Sequence, residues 1–205
     1  MKLYYAPGTC ALACWIALEW AKADYTVERV NLHDLAYQQI NPLGMVPALD
    51  IQTGRAMTQA NAILQFIVDS HPEADLGSNA SAYDRFEFNE TMAFLTGDFH
   101  PAFWPFFAPA RYTTLKGKEA MEAAQEASYA RIDRVMSFLD KLIGDTVHVY
   151  QNKRTVADAY AFVMASWSVK TPQTWRNYPN VARFMENMLE DPAVQKVMTL
   201  SKQAN

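Results

Sequence analysis

Cysteine is scarce in this chain: Cys10 and Cys14 are the only two among 205 residues. Positive charge is short as well. Eighteen Lys and Arg stand against 22 Asp and Glu, a net charge of −4, which excludes a nucleic-acid binder relying on a general basic surface. No segment approaches the roughly 18 uninterrupted apolar residues of a membrane span, so none is expected. The N-terminus lacks the pattern of a secretory signal, because Pro7 and Gly8 cut short the apolar run after Lys2. Internal repeats and low-complexity tracts are missing too. A soluble, cytoplasmic protein is the expectation. Thiols stay reduced there, which argues against a structural disulfide between Cys10 and Cys14. Their C-x-x-x-C spacing sets both on one face of a helix and is not the C-x-x-C redox spacing.

Half of the residues are hydrophobic and 20% are charged, enough for a buried core and against disorder. Residues 2–5 (KLYY) read as a strand, 10–22 (CALACWIALEWAK) as a helix and 25–31 (YTVERVN) as a second strand. Val46-Pro47-Ala48-Leu49 enters a third strand, Thr53-Gly54 marks a hairpin turn, Ala56-Met57 returns, and 59–70 is a helix. That is a small α/β unit. The polar stretch HPEADLGSNAS, 71–81, reads as a linker. Beyond it the pattern is helical, over 81–99, 118–143, 155–169, 179–190 and 192–202. The segment PAFWPFFAPARY, 101–112, should bend or break whatever helix enters it. The fold class is therefore α/β followed by all-α, with domains at 1–77 and 82–205.

Three stations in the first unit carry chemistry. Cys10 follows Gly8-Thr9 at a helix start. Unpaired N–H groups and the helix dipole favour a thiolate there, so its pKa is expected to fall, and Thr9 is placed to cap. Cys14 lies one turn deeper and reads as a small buried hydrophobe. Pro47 removes a ladder donor. A cis bond would leave the N–H and C=O of Val46 free to pair with an extended peptide, whereas the commoner trans bond would make this an ordinary edge strand. Thr58-Gln59-Ala60-Asn61 opens another helix, whose N–H groups can hold a carboxylate and to which Gln59 adds side-chain donors, or which it merely caps. A reactive thiol, an exposed strand edge and an anion-holding helix start are what a tripeptide thiol with a free carboxylate needs.

The segments KLYYAPGTCALA, NPLGMVPAL, TQANAILQFI, TVADAYAF and YPNVARFMENMLEDPAVQKVM together resemble a cytosolic glutathione transferase, most like the bacterial beta class, nearly end to end. The resemblance implies a thioredoxin-like first domain, a helical-bundle second domain and a homodimer. It implies a cis Pro47, with Thr9, Leu32, Met45 and Val46 around the glutathione backbone. Gln59 and Ala60 would receive the γ-glutamyl end. Cys10 would face the glutathione sulfur, where a mixed disulfide can form, and His100 would stand nearby as a donor or proton shuttle. Phe103, Trp104, Phe106, Phe107 and Trp167 would wall an apolar pocket for a small electrophile or disulfide, Trp167 being the best placed. No metal is implied. Thr155 and Asp158 form a cap pattern that nucleates a helix, and Thr155→Ala is expected to cost about 1 kcal/mol.

Departures from the family pattern imply weakened glutathione binding. Ala60 keeps only its N–H where a Ser often stands, Met45 replaces a polar residue, and Leu35 and Ala93 fall near positions of polar ligand residues. Two functions are open. One is an enzyme that conjugates glutathione to small electrophiles, or exchanges disulfides through Cys10. The other is a non-enzymatic, transferase-like binding or regulatory protein.

Overall fold

In the computed structural model, which describes residues 1–203, the KLYY segment becomes β1 (Lys2–Tyr5), with Leu3, Tyr4 and Tyr5 buried. It runs parallel to β2 (Thr26–Arg29) and antiparallel to β3 (Ala48–Asp50), with Leu3 opposite Val27 on one side and Leu49 on the other. β3 pairs with β4 (Met57–Thr58), giving the order β2-β1-β3-β4. Helix α1 (Ala11–Trp20) crosses between β1 and β2, α2 (Leu35–Ile40) precedes β3, and α3 (Ala60–Ser70) follows β4. A βαβ unit joined to a hairpin and a closing helix is the thioredoxin-like arrangement expected from sequence. The third strand begins at Ala48, not Val46, because Pro47 has no N–H to give the ladder. The return strand lies one residue later than expected, at Met57–Thr58.

The rest is helical: α4 (Ala82–Phe94), α5 (His100–Ala102), α6 (Trp104–Phe107), α7 (Lys118–Ile143), α8 (Val156–Ser166), α9 (Pro179–Glu190) and α10 (Pro192–Leu200). Ser81 and Asp84 box the start of α4, Asp84 N–H donating to Ser81 Oγ at 3.0 Å. The expected helix over 81–99 is not one α-helix. Leu95–Phe99 is a π-helical turn in which the His100 N–H bonds the Leu95 carbonyl, and the chain runs on into α5. The three prolines of 101–112 bend the chain into short helical pieces without abolishing helix. Likewise, 155–169 resolves into α8 and a 3-10 turn, Trp167–Lys170. The final two residues of the expected 82–205 segment lie outside the described residues.

Helix α1 is apolar all round, and every residue from Ala11 to Leu18 is buried. It packs on α3 on one side and on α8 and α10 on the other. Polar fasteners ring this joint. Trp20 Nε1 donates to the Asp191 carboxylate at 3.1 Å, and Lys196 pairs with Glu19 at 2.6 Å. The 71–81 stretch is tied down as well: Val156 N–H reaches the Leu76 carbonyl at 3.0 Å, and Lys153 pairs with Asp75 at 2.6 Å.

Asp158 sits at the root of α8, wholly buried. Its carboxylate accepts from Thr155 N–H at 2.7 Å and from Val149 N–H at 2.8 Å. The expected capping box forms, but its hydroxyl half faces Asp158 N–H without making a full hydrogen bond. Asp158 N–H is held by the Thr155 carbonyl at 3.0 Å, and Thr155 Oγ1 is buried without a hydrogen-bond partner. Asp158→Ala orphans two buried N–H groups and should cost about 2–4 kcal/mol, whereas Thr155→Ala should cost less than about 1 kcal/mol. Urea unfolding midpoints of the two variants check this ordering.

Candidate functional site

Gly8 has φ +71, a left-handed conformation that suits glycine, and turns the chain from β1 into α1. Thr9 does not cap the helix. Its Oγ1 donates back to the Ala6 carbonyl at 2.7 Å and stiffens the loop. From the helical half, Trp167 Nε1 donates to the Gly8 carbonyl at 2.8 Å, so the loop ahead of the thiol is pinned from both sides.

Cys10 opens α1, 8% exposed, and its Sγ donates to the Val46 carbonyl at 3.5 Å. The Val46–Pro47 bond is cis. Just before it, Tyr37 Oη and Asn41 Nδ2 both donate to the Met45 carbonyl at 2.6 Å, fixing the 41–46 loop. The expected acidic thiol is not what this environment makes. Burial pushes Cys10 up to about 12, and the stabilising backbone N–H only partly offsets it. Loss of hydration outweighs the helix dipole because a dipole is worth about 1 kcal/mol and full burial several times that. Cys14 is fully buried, donates to the Ala60 carbonyl at 3.8 Å and is pushed well up by the same cause.

Gln59 precedes α3 with φ +73, exposed, and makes no side-chain cap. Its amide is therefore not spent on the helix, and the capping alternative falls away. Ala60 follows, buried. Leu32 borders an open depression of about 500 Å³ lined with Pro7, Arg29, Val30, Asn31 and His33. Leu35 is 74% and Met45 47% exposed, so neither is held by packing. Ala93 is exposed on α4.

His100 stands just past the π turn. Its ring centroid lies 5.0 Å from that of Trp167 and 5.9 Å from that of Trp104. Phe107 meets Trp167 edge-on at 5.2 Å, and Phe103 does so at 5.6 Å. Trp104 and Phe107 are about half exposed, whereas Phe103 is fully buried and backs the wall from behind. Phe106 meets Phe107 edge-on at 5.4 Å and lies 6.2 Å from the Tyr129 ring. Burial lowers the His100 pKa from 6.5 to about 4, so the imidazole is neutral near pH 7, not the near-neutral shuttle expected.

Sequence reasoning missed Tyr160. It lies on α8, buried, with its hydroxyl 2.9 Å from His100 Nδ1. Its phenol pKa is raised by burial first, then by the negative charge that Cys10 or Cys14 would carry if ionised. The signal was present: a tyrosine inside an otherwise apolar helix must find a partner for its hydroxyl. Among the described residues no group of His, Cys, Asp and Glu could hold a metal ion, and no helix is long and apolar enough to cross a membrane.

Comparison with known proteins fits this geometry. Residues 8–70 match the family model of the glutathione S-transferase N-terminal domain, and residues 98–199 match that of the C-terminal domain. A glutathione S-transferase of Xanthomonas campestris pv. campestris is 32% identical, the alignment covering 97% of each chain. The structure of a sphingomonad glutathione S-transferase complexed with glutathione superposes with a TM-score of 0.87 at 31% identity, covering all of both chains. The bacterial beta-class enzyme of Sphingomonas chungbukensis gives 0.85 at 30%, also over both full chains.

The neutral His100 has a consequence for stability. Unfolding returns its pKa from about 4 to 6.5, so the unfolded chain binds the proton first as pH falls. The contribution of the neutral ring is intact above pH 6.5 and is lost progressively down to about 4, up to about 3 kcal/mol in all. Urea midpoints across that window should fall more steeply for the native chain than for His100→Gln.

Proposed function

Because this chain belongs to the glutathione S-transferase family, we propose that it conjugates glutathione to small apolar electrophiles at the seam between α1, the Val46–Pro47 bend and the aromatic wall. Residues 1–77 take glutathione and 82–205 take the second substrate. The observation that carries the reading is the contact of Cys10 Sγ with the Val46 carbonyl at 3.5 Å, which sets the thiol against the strand edge that can pair with an extended peptide. The γ-glutamyl carboxylate meets the free N–H groups opening α3, with the uncommitted Gln59 amide beside it. The departures at Ala60, Met45 and Leu35 leave binding weaker than a full complement of polar contacts would give.

In this reading the glutathione thiolate attacks the electrophilic carbon. The new S–C bond forms as the bond to the leaving group breaks, and the leaving group departs with its electron pair. Cys10 enters as a neutral thiol, its S–H turning from the Val46 carbonyl to the glutathione sulfur, and His100 as a neutral imidazole, since burial keeps both uncharged. The electrophile rests on Trp104, Phe107 and Trp167. Disulfide exchange through Cys10 is the slower partner. With a pKa near 12, only on the order of 1 in 10⁵ molecules carries the thiolate at pH 7. The reading places the protein in the cytoplasm, where both thiols stay reduced. A homodimer completes the reading, supported by the exposed Tyr83 and Phe86 on α4 and Phe138 on α7.

Titration calorimetry should detect glutathione binding that Gln59→Ala weakens about fivefold. No heat at millimolar glutathione would favour the binding or regulatory alternative. Cys10→Ala should retain conjugation of an activated aryl halide at a reduced rate, and should lose exchange with oxidised glutathione. In the native chain, mass spectrometry should find the Cys10 glutathione adduct forming about tenfold faster per pH unit from 7 to 9. A pH-independent rate would remove the buried-thiol account.

A further inference from the structure

The proton on His100 has two possible seats, and its neighbours choose between them. Nδ1 lies 2.9 Å from Tyr160 Oη, and that imidazole nitrogen is the hydroxyl's only hydrogen-bond partner among the described residues. A phenol carries one donor. If Nδ1 held the ring proton, it would donate to the phenol oxygen, and the buried O–H would have nothing to donate to. If Nδ1 is bare, the O–H donates to it and no polar group is orphaned. An orphaned buried donor disfavours the first arrangement by about tenfold or more. Nε2 has no partner among the described residues, yet it is not among the buried polar atoms left without one, so it keeps some exposure and is free to meet a ligand.

We infer that Tyr160 is a positioning residue: its hydroxyl holds Nδ1 bare, locks the proton on Nε2 and so presents a fixed N–H donor to the sulfur of bound glutathione. The catalytic half of this inference rests on the proposed function; the tautomer itself does not. The phenol reaches the imidazole from α8, which also packs on α1, so one helix sets both the thiol's back wall and the imidazole's orientation. The phenol is itself held protonated by burial, which keeps it a donor throughout the pH range in which the ring is neutral.

Nitrogen-15 NMR of the full-length chain reads the tautomer without glutathione and without turnover. In the native protein His100 should show an acceptor-type Nδ1 and a protonated-type Nε2, with the other tautomer below about one part in ten. Tyr160→Phe should bring the two shifts toward each other as both tautomers become populated. The same variant should lower kcat for conjugation about tenfold, with KM for glutathione within about twofold. A proton on Nδ1 in the native chain overturns the inference with no variant needed, and an unchanged single tautomer in Tyr160→Phe overturns it equally. Absence of glutathione binding by calorimetry would defeat the proposed function alone and leave the tautomer result standing.

Discussion

The burial of helix α1 on two sides governs the rest of this molecule. An α-helix with no polar face has nowhere to go but between layers, and here the layers come from different halves of the chain. The sheet and α3 cover one side; α8 and α10 cover the other. The thiol at its first turn is therefore where the two halves meet, and it is dry. Dryness explains the upward shift of Cys10, the downward shift of His100 and the protonated state of Tyr160 with a single cause.

Three neutral groups in such a place form a different instrument from three charged ones. A buried imidazolium would require a counter-charge, and none of the polar groups found beside this ring is a carboxylate. Neutral donors avoid that cost and still favour negative charge on an incoming sulfur. Net attraction for the thiolate then depends on where hydrogens point, which makes hydrogen-bond partners such as Val46 and Tyr160 as consequential as the residues that face substrate.

Much of this was legible in the residues. The apolar spacing of CALACWIAL announced a helix, Pro47 announced an interruption of the ladder, and the polar-to-helical change after residue 70 announced the second half. Local chemistry was enough for these, because each depends on a neighbour in sequence. The thiol's direction of shift was read backwards, since the dipole is a local property and burial is not. Tyr160 and His100 lie 60 residues apart, and nothing in one segment names the other. The Thr155 hydroxyl shows the same limit: its spacing to Asp158 was right, but the backbone carbonyl took the N–H first.

The π turn at Leu95–Phe99 adds one residue to a helix that would otherwise run straight into His100. Removing one residue of the turn would restore ordinary winding and leave the downstream helical pieces near their present place, since the wide turn absorbs its extra residue. Helices on either side would keep their own hydrogen bonds. A single codon gained or lost there would thus change the side chains of the turn itself, while His100 keeps its place against the phenol.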